Sequence, residues 1–307
     1  YMGSTDNGVK LATHEGGHNL TLHHSSSRDF GTEAVGPLGM TGTLSEYGDT
    51  HSTMGSWNFG HYPAQHKVQM GWLPSSNVTT VETTGSHSIL PFENNVLGVQ
   101  ALKVRRGTGG DSWLWLEYRQ PIGLFDSTLN SQLYGGALVH MQDNITGTHT
   151  HLVDFTTSTS SFSDAALTGA WTDPYTNVSL AVTGATASAL SVNVGYGALT
   201  CNFHVQPTVA ISPSNPSVMA GTTYNFSVAI TNHDPLGCGS STFTLGSALP
   251  NGWNTTFSSP SVTLAPGQSL YVTMGKVIPV GFTPGTYAID ATASDATTLL
   301  AASTSAD

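Results

Sequence analysis

Residues 14–24, with the sequence HEGGHNLTLHH, constrain the fold more than any other stretch, because they gather metal ligands more closely than the rest of the chain does. In an α-helix, positions i and i+4 lie about 40° apart around the axis and about 6 Å apart along it, so the imidazoles of His14 and His18 can reach one metal ion. Glu15 then lies beside the ion, where a general base for an attacking water belongs. The pattern predicts a zinc site on a helix.

A third ligand from His23 or His24 requires the helix to end soon after His18. If the helix continued, His24 would lie about 15 Å from His14 along the axis. The chain must therefore turn back before His23, and Thr21, which lies in that interval, is a β-branched residue that disfavours positive φ. The HExxH pentapeptide also occurs by chance on ordinary helices, so its downstream context is needed to interpret it.

Charge and composition exclude several classes of function. The chain has 19 Asp and Glu against 8 Lys and Arg, for a net charge of −11, and charged residues make up only 9% of it. With so few cations and no basic patch, nucleic-acid binding is not expected, and binding to an anionic membrane surface is disfavoured likewise. Low charge combined with abundant Gly, Ser and Thr is typical of secreted, β-rich proteins.

Cysteines and sequons favour an extracellular location. A disulfide between Cys201 and Cys238 would contribute about 4 kcal/mol in an oxidising compartment, and two free buried thiols are the alternative. No apolar run is long enough to span a membrane, and the start at Tyr1 indicates an exported chain whose first part has been removed. Six Asn-X-Ser/Thr sequons suit a glycoprotein: Asn19, Asn77, Asn144, Asn177, Asn225 and Asn254.

The first part of the chain, residues 1–73, predicts helices and loops. Residues 1–13 lead into the metal-site helix and are too short to form a sheet, while residues 25–53 have no sustained period and predict a long loop region. A tight turn around Met54 follows, and residues 61–70 predict a short helix. Three further histidines could be additional ligands or substrate contacts, with core or exposed positions as the alternative: His51, His61 and His66.

The rest of the chain predicts two antiparallel β-sandwiches. Short apolar runs alternate with Gly, Asn, Asp and Pro turns in residues 74–199, and again in residues 200–307. The run WLWLEY at 113–118 alternates large aromatic with aliphatic residues, so both faces of that strand are expected to be covered. We therefore expect a mainly β protein. Three aspartates could collect a calcium ion, with solvated loop carboxylates as the alternative: Asp154, Asp164 and Asp173.

Five separated motifs give the first part of the chain a family resemblance. They are HEGGHN at 14–19, His24, EYGD at 46–49, STMG at 52–55 and HKVQMGWL at 66–73. In this order they resemble the gametolysin-like zinc metallopeptidases, a branch of the metzincins. The resemblance covers about residues 1–200 and is strongest between 14 and 73. Residues 1–73 would then be a partial metzincin helix-and-loop subdomain, followed by the two sandwiches.

The resemblance also assigns roles to the candidate site residues. It implies a Zn²⁺ ion bound by His14, His18 and His24, a water polarised by Glu15, and a floor beneath the metal formed by Met54. The spacing of the family therefore favours His24 over His23 as the third ligand. This chain has Thr21 where the family pattern has a glycine, and residues 1–13 leave no room for the sheet that precedes the helix in such peptidases.

A second resemblance concerns residues 200–307. The segments AGTTYNFSVAITNHD, CGSSTF, LPNGW and LAPGQS resemble bacterial-type immunoglobulin-like modules appended to secreted hydrolases, which implies an accessory module without chemistry. We expect a secreted zinc endopeptidase with a protein or peptide substrate. The alternative is a non-catalytic extracellular glycoprotein, structural or filament-forming, that is built on a degenerate peptidase scaffold and self-associates through its β edges.

Overall fold

The protein is mainly β, as predicted, and its computed structural model divides into two compact units. Residues 5–56, 60–94, 96–107, 112–143, 147, 149–248, 250 and 252–306 are described, with side chains from residue 8 to residue 305, so the sequon Asn144 lies outside the described residues. The first unit comprises Tyr1–Gly36 and Thr41–Ala198, and the second comprises Pro37–Met40 and Leu199–Asp307.

The described residues of the first unit form two helices and eleven strands. The helices are α1 (Thr5–Asn19) and α2 (Ala64–Gln69). The strands are β1 (Ser25–Asp29), β2 (Thr43–Ser45), β3 (Val78–Val81), β4 (Gly85–Ile89), β5 (Ala101–Arg105), β6 (Trp113–Glu117), β7 (Leu138–Gln142), β8 (Thr150–Val153), β9 (Ala170–Thr172), β10 (Val178–Thr186) and β11 (Ala189–Tyr196). Single 3-10 turns occur at Ser75–Asn77, Ser131–Gly135 and Phe162–Asp164.

Seven of these strands form one mixed sheet in the order β2-β1-β8-β7-β6-β5-β3. Strand β1 runs parallel to β8, and β3 runs parallel to β5, whereas the other pairings are antiparallel. The prediction of a purely antiparallel sandwich was therefore wrong here, because the alternation of side chains is the same in either strand direction. The sheet also joins β1 to β3, so residues 1–73 and 74–199 do not separate into two domains as expected.

A second sheet, in the order β4-β11-β10-β9, packs against the first and completes a sandwich. Strand β6 is buried along its whole length, as its alternating sequence predicted. Its Leu114 and Leu116 belong to the core between the sheets, whereas Trp113 and Trp115 pack on the opposite face with residues that include Ala64 of α2. Strand β6 therefore anchors the short helix to the sheet.

The second unit is an antiparallel β-sandwich of two four-stranded sheets, as predicted. Its strands are β12 (Thr208–Ser212), β13 (Thr223–Thr231), β14 (Ser241–Gly246), β15 (Asn254–Phe257), β16 (Ser261–Leu264), β17 (Ser269–Val277), β18 (Ile289–Asp295) and β19 (Ala301–Ala306). The sheets have the orders β12-β13-β17-β15 and β16-β14-β18-β19, and one apolar core fills the space between them. The predicted disulfide joins Cys201 to Cys238.

Among the described residues, no helix has the length and apolar character needed to cross a membrane. This finding agrees with the prediction of no membrane span, which rested on the lack of a long apolar run.

Candidate metal centre

Helix α1 presents the first two histidines of the motif and ends just beyond them. His14 and His18 lie one turn apart on the helix, and their ring centroids are 4.9 Å from each other. The helix is closed by two backbone hydrogen bonds, from Leu22 N to the carbonyl of Gly17 at 3.0 Å and from Thr21 N to the carbonyl of His18 at 2.9 Å. This pair of bonds is a Schellman motif, which turns the chain sharply away from the helix axis.

Thr21 occupies the position of the Schellman motif that usually holds glycine. Its φ is +69°, so the threonine adopts the left-handed conformation that its β-branched side chain disfavours. The side-chain amide of Gln69 on α2 donates a 3.0 Å hydrogen bond to the carbonyl of Thr21, which ties the turn to the neighbouring helix. The turn is therefore present without the glycine of the family pattern.

The turn brings His24 back to the two helical histidines. Its ring centroid lies 5.5 Å from that of His14 and 4.9 Å from that of His18, and one ligand nitrogen of each of the three lies within 4.8 Å of the others. His23 points elsewhere, because its ring packs against His149 at 4.9 Å and it is not a member of the group. The structure thus brings together the three histidines that the resemblance assigned.

Each of the three imidazoles is held through its Nδ1 atom. His14 Nδ1 lies 2.8 Å from the carbonyl oxygen of Thr53, and His18 Nδ1 lies 2.9 Å from that of Leu22. A carbonyl oxygen can only accept, so Nδ1 must carry the proton in both rings, and the lone pair is on Nε2. This tautomer is the one that metal-binding histidines need when their other nitrogen is the ligand.

Glu46 performs the same task for His24. Its Oε1 lies 2.8 Å from His24 Nδ1, and because a carboxylate accepts, His24 also carries its lone pair on Nε2. The Tyr47 ring packs on the His24 ring with centroids 4.1 Å apart. Sequence reasoning had found no role for the EYGD motif at 46–49. The available signal was a carboxylate next to an aromatic residue in an otherwise polar loop, but spacing alone could not pair Glu46 with His24.

Asp49, the last residue of that motif, is buried and accepts hydrogen bonds on two sides. Its buried carboxylate accepts hydrogen bonds from the backbone N–H of His51 at 2.8 Å and from Nε2 of His140 at 2.9 Å. Burial alone would raise the pKa of Asp49, but the hydrogen bond from His140 and the charges of His140 and His51 hold it below the ordinary value. Asp49 therefore stays ionised and joins its loop to strand β7, which carries His140.

Met54 packs against helix α1 at Gly17. Residues 52–55 form a turn closed by a 2.9 Å hydrogen bond from Gly55 N to the Ser52 carbonyl, and Met54 is fully buried. A Cβ atom on Gly17 would lie only 2.4 Å from Met54 Sδ, so the thioether packs directly on the helix backbone. Met54 thus supports the helix between the two histidines, and its role as a floor beneath a metal stays a prediction.

Glu15 follows His14 on α1, and its side chain is exposed. The step of about 100° per residue in a helix places it beside the group of imidazoles and outside it. A carboxylate in this position can accept a proton from a water molecule next to the histidines. The assignment of Glu15 as the base stays a prediction.

The other predicted ligands lie outside the group. His51 is buried, with Nε2 2.8 Å from the Phe162 carbonyl, and burial lowers its pKa and that of His61, the latter to about 3. His66 is buried on α2. Core or structural positions therefore describe these three histidines better than metal ligation does.

The three aspartates considered for calcium are not gathered into one group of ligands in the described part of the chain. Asp173 is buried and forms a 2.7 Å ion pair with Arg106. The carboxylate of Asp154 accepts a hydrogen bond from the backbone N–H of Thr156. Cys201, His204 and Cys238 form the other compact group of potential ligands, but both thiols are used in the disulfide. The described residues therefore offer one open ligand set, the three histidines.

The donor set fits zinc by its chemistry. Three neutral imidazoles suit a borderline metal ion such as Zn²⁺, and catalytic zinc sites typically use three protein ligands and leave one position open. Hydrogen bonds that fix the tautomer of each ligand are a regular feature of such sites. No model of a known protein family matches the chain, and no curated protein matches it either.

Proposed function

We propose that the first unit is a zinc-dependent endopeptidase with His14, His18 and His24 as its metal ligands. The observation that carries the proposal is that all three imidazoles are anchored through Nδ1, which leaves Nε2 of each ring for a metal, and that one ligand nitrogen of each ring lies within 4.8 Å of the others. A structural histidine cluster has no need of three rings in the same tautomer, whereas a metal site does.

The residues of the chain then have distinct tasks. Zinc, when bound, polarises a substrate carbonyl and lowers the pKa of a nearby water molecule. The carboxylate of Glu15 takes the proton from the attacking water while the water oxygen forms its bond to the peptide carbon. Glu15 then gives this proton to the departing amine as the carbon–nitrogen bond breaks. Glu46 holds the ring of His24 in place, and Met54 holds the helix.

The second unit and the disulfide support a location outside the cytosol. A disulfide between Cys201 and Cys238 persists in an oxidising compartment and is rare in the cytosol. We propose that the chain is secreted and that the second unit is an accessory β-sandwich. Among the sequons, Asn77 is a poor glycan acceptor because its buried amide nitrogen donates to Val96 and Gln100.

The proposal is tested by metal content and hydrolysis together. The purified protein should bind one zinc ion per chain, as measured by elemental analysis after dialysis, and should cleave a denatured protein substrate. The variant Glu15→Gln should keep its zinc and lose about 10²- to 10⁴-fold in rate, the usual contribution of a general base. Glu33→Gln, which also removes an exposed carboxylate, is the matched control and should stay fully active.

Two results would contradict the proposal. Unchanged hydrolysis by Glu15→Gln would remove Glu15 from the chemistry. A wild-type protein that holds zinc and cleaves nothing would favour the alternative, an extracellular structural protein that self-associates through its β edges.

A further inference from the structure

The second unit contains a group of potential metal ligands that its disulfide closes. Cys201 and His204 lie in the segment that leads into strand β12, and Cys238 lies in the loop between β13 and β14. One ligand atom of each residue, a sulfur or an imidazole nitrogen, lies within 4.8 Å of the other two. Cys201 is exposed and Cys238 is buried, so the group extends inward from the surface of the unit. Thiolates and imidazoles are the ligands that zinc prefers in proteins.

A buried carboxylate orients the imidazole of His204. Asp234 Oδ2 lies 3.1 Å from His204 Nδ1. The carboxylate is itself fixed by hydrogen bonds from the backbone N–H of Val205 at 2.8 Å and from the Ser241 hydroxyl at 2.9 Å. A carboxylate beside Nδ1 attracts the ring proton to that atom, so the lone pair of the ring is on Nε2. Nε2 is also the atom that lies 3.8 Å from the sulfur of Cys201, and a carboxylate behind the ring is a regular feature of metal-binding histidines.

The spacing of these atoms suits a tetrahedral zinc ion. With a Zn–S distance of about 2.3 Å and a Zn–N distance of about 2.0–2.1 Å, tetrahedral angles place a sulfur and a nitrogen ligand about 3.6 Å apart. The 3.8 Å between Cys201 Sγ and His204 Nε2 is close to this value. Reduction of the disulfide allows the sulfur of Cys238 to move by rotation about χ1, because it is no longer bonded to Cys201. A water molecule can then complete the four ligands.

We propose that Cys201, His204 and Cys238 form a second zinc site when the disulfide is reduced. In the reduction, two external thiols give two electrons and two protons to the disulfide: the protein S–S bond breaks, two protein thiols form, and the reductant leaves as a disulfide. Zinc then displaces both thiol protons and binds the two thiolates together with Nε2 of His204. In the reverse direction, an external disulfide takes up two electrons from the thiolates and two protons from water, the protein S–S bond forms again, and zinc is released.

The disulfide and the zinc ion join the same two parts of the second unit under opposite conditions. The disulfide persists in an oxidising compartment, whereas thiolates are available for zinc in a reducing one. The proposed export of the chain takes it from a reducing to an oxidising compartment, and the segment before β12 is held to the loop before β14 in both. The site uses none of the three histidines of the first unit, so it is separate from the proposed peptidase function.

Cobalt distinguishes this site from the three-histidine centre. Co²⁺ can replace Zn²⁺ in a tetrahedral site, and a thiolate bound to it gives an intense charge-transfer band in the near ultraviolet that imidazole ligands do not give. The metal-free full chain is titrated with Co²⁺ before and after reduction by tris(2-carboxyethyl)phosphine, which supplies no thiolate of its own. We expect the thiolate band only after reduction. We also expect the reduced chain to hold one more metal ion than the oxidised chain.

Variants of the reduced chain test the set of ligands. His204→Ala removes a ligand and should weaken cobalt binding about 100-fold, whereas Asp234→Asn loosens the ring and should weaken it about tenfold. Both variants keep the two thiolates, so the band should still appear at saturating metal. His87→Gln is the control, because it removes a histidine of the first unit that belongs to neither ligand group of the described residues, and it should bind cobalt as the wild type does. The double variant Cys201→Ser, Cys238→Ser should show no band with or without the reductant.

Two results overturn the second zinc site. If the reduced chain shows no thiolate band at saturating cobalt, the site does not form. If His204→Ala and Asp234→Asn bind cobalt as tightly as the wild type, the thiolates alone hold the metal, as they would in an unfolded segment, and the assigned ligand set is refuted. The peptidase proposal has different readouts, which are the zinc held by the oxidised chain and hydrolysis that depends on Glu15. Either proposal can therefore fail while the other stands.

Discussion

Replacing Thr21 by glycine should stabilise the first unit. A residue with a Cβ atom in the left-handed conformation costs about 1–2 kcal/mol, and Thr21 has a φ of +69°. Glycine removes this cost but loses about 0.5–1 kcal/mol through its greater freedom in the unfolded chain. The hydrogen bond from Gln69 to the carbonyl of residue 21 is retained, and the contact of 3.4 Å to the hydroxyl is weak. The net expected gain is about 0.5–1 kcal/mol.

Urea unfolding of the metal-free protein, followed by tryptophan fluorescence, measures this gain. Four of the five described tryptophans belong to the first unit, so the signal reports mainly on it: Trp72, Trp113, Trp115 and Trp171. For a unit of this size, the gain corresponds to an increase in Tm of about 1–4 °C. Zinc affinity should not fall, because the turn keeps its shape.

Thr21→Ala is the control for this prediction. Alanine removes the hydroxyl and the branched carbon but keeps Cβ, so it retains most of the left-handed cost. We expect Thr21→Gly to unfold at a higher urea concentration than Thr21→Ala. The opposite order would refute the assignment of strain to this position.

Three further predictions concern the surroundings of the site. Glu46→Gln should weaken zinc binding about tenfold, measured by competition with a chelator, because His24 loses its charged partner; the exposure of Glu46 keeps the loss at the lower end of the usual range. Burial and a hydrogen bond with Asp126 raise the pKa of Glu93 to about 8, so stability should fall as the pH rises from 5 to 8 and should fall less in Glu93→Gln. Gly17→Ala should cost about 1–3 kcal/mol by overpacking against Met54, and adding Met54→Ala should cost less than the two separate changes predict.

The controls for these predictions are also available in the chain. Glu82→Gln removes a carboxylate that pairs with Arg105 and should leave zinc affinity unchanged. The sign for Glu93 follows from proton uptake: the folded state keeps a proton that the unfolded state releases above about pH 4.3, so rising pH favours unfolding. If Glu93→Gln had the same pH profile of stability as the wild type, this reasoning would be contradicted. If the losses of stability in Gly17→Ala and Met54→Ala simply added in the double variant, the prediction of overpacking would be contradicted.

Local sequence patterns predicted much of the structure. The spacing of His14 and His18 predicted the helix, the apolar alternation predicted the strands, and the two cysteines predicted the disulfide. Each of these features depends on residues close together in sequence or on a count of one residue type. The buried strand β6 was also predictable, because aromatic and aliphatic residues alternate along it.

Features that depend on distant pairing could not be predicted. Strand β1 pairs in parallel with β8 across more than a hundred residues, and an alternating pattern contains no information about strand direction. The pairing of Glu46 with His24 depends in the same way on where a loop returns. The predicted domain boundary at residue 73 also depended on distant pairing. Strands from before and after residue 73 belong to the same seven-stranded sheet.

The left-handed threonine explains why departure from the glycine pattern does not remove the site. The conformational cost at Thr21 is about 1–2 kcal/mol, whereas the turn is fixed by the two bonds of the Schellman motif and by Gln69. Each of these hydrogen bonds contributes about 0.5–1.5 kcal/mol, so together they offset the strain. A position that needs positive φ therefore favours glycine without requiring it, and the return of His24 depends on the contacts around the turn more than on the residue at its centre.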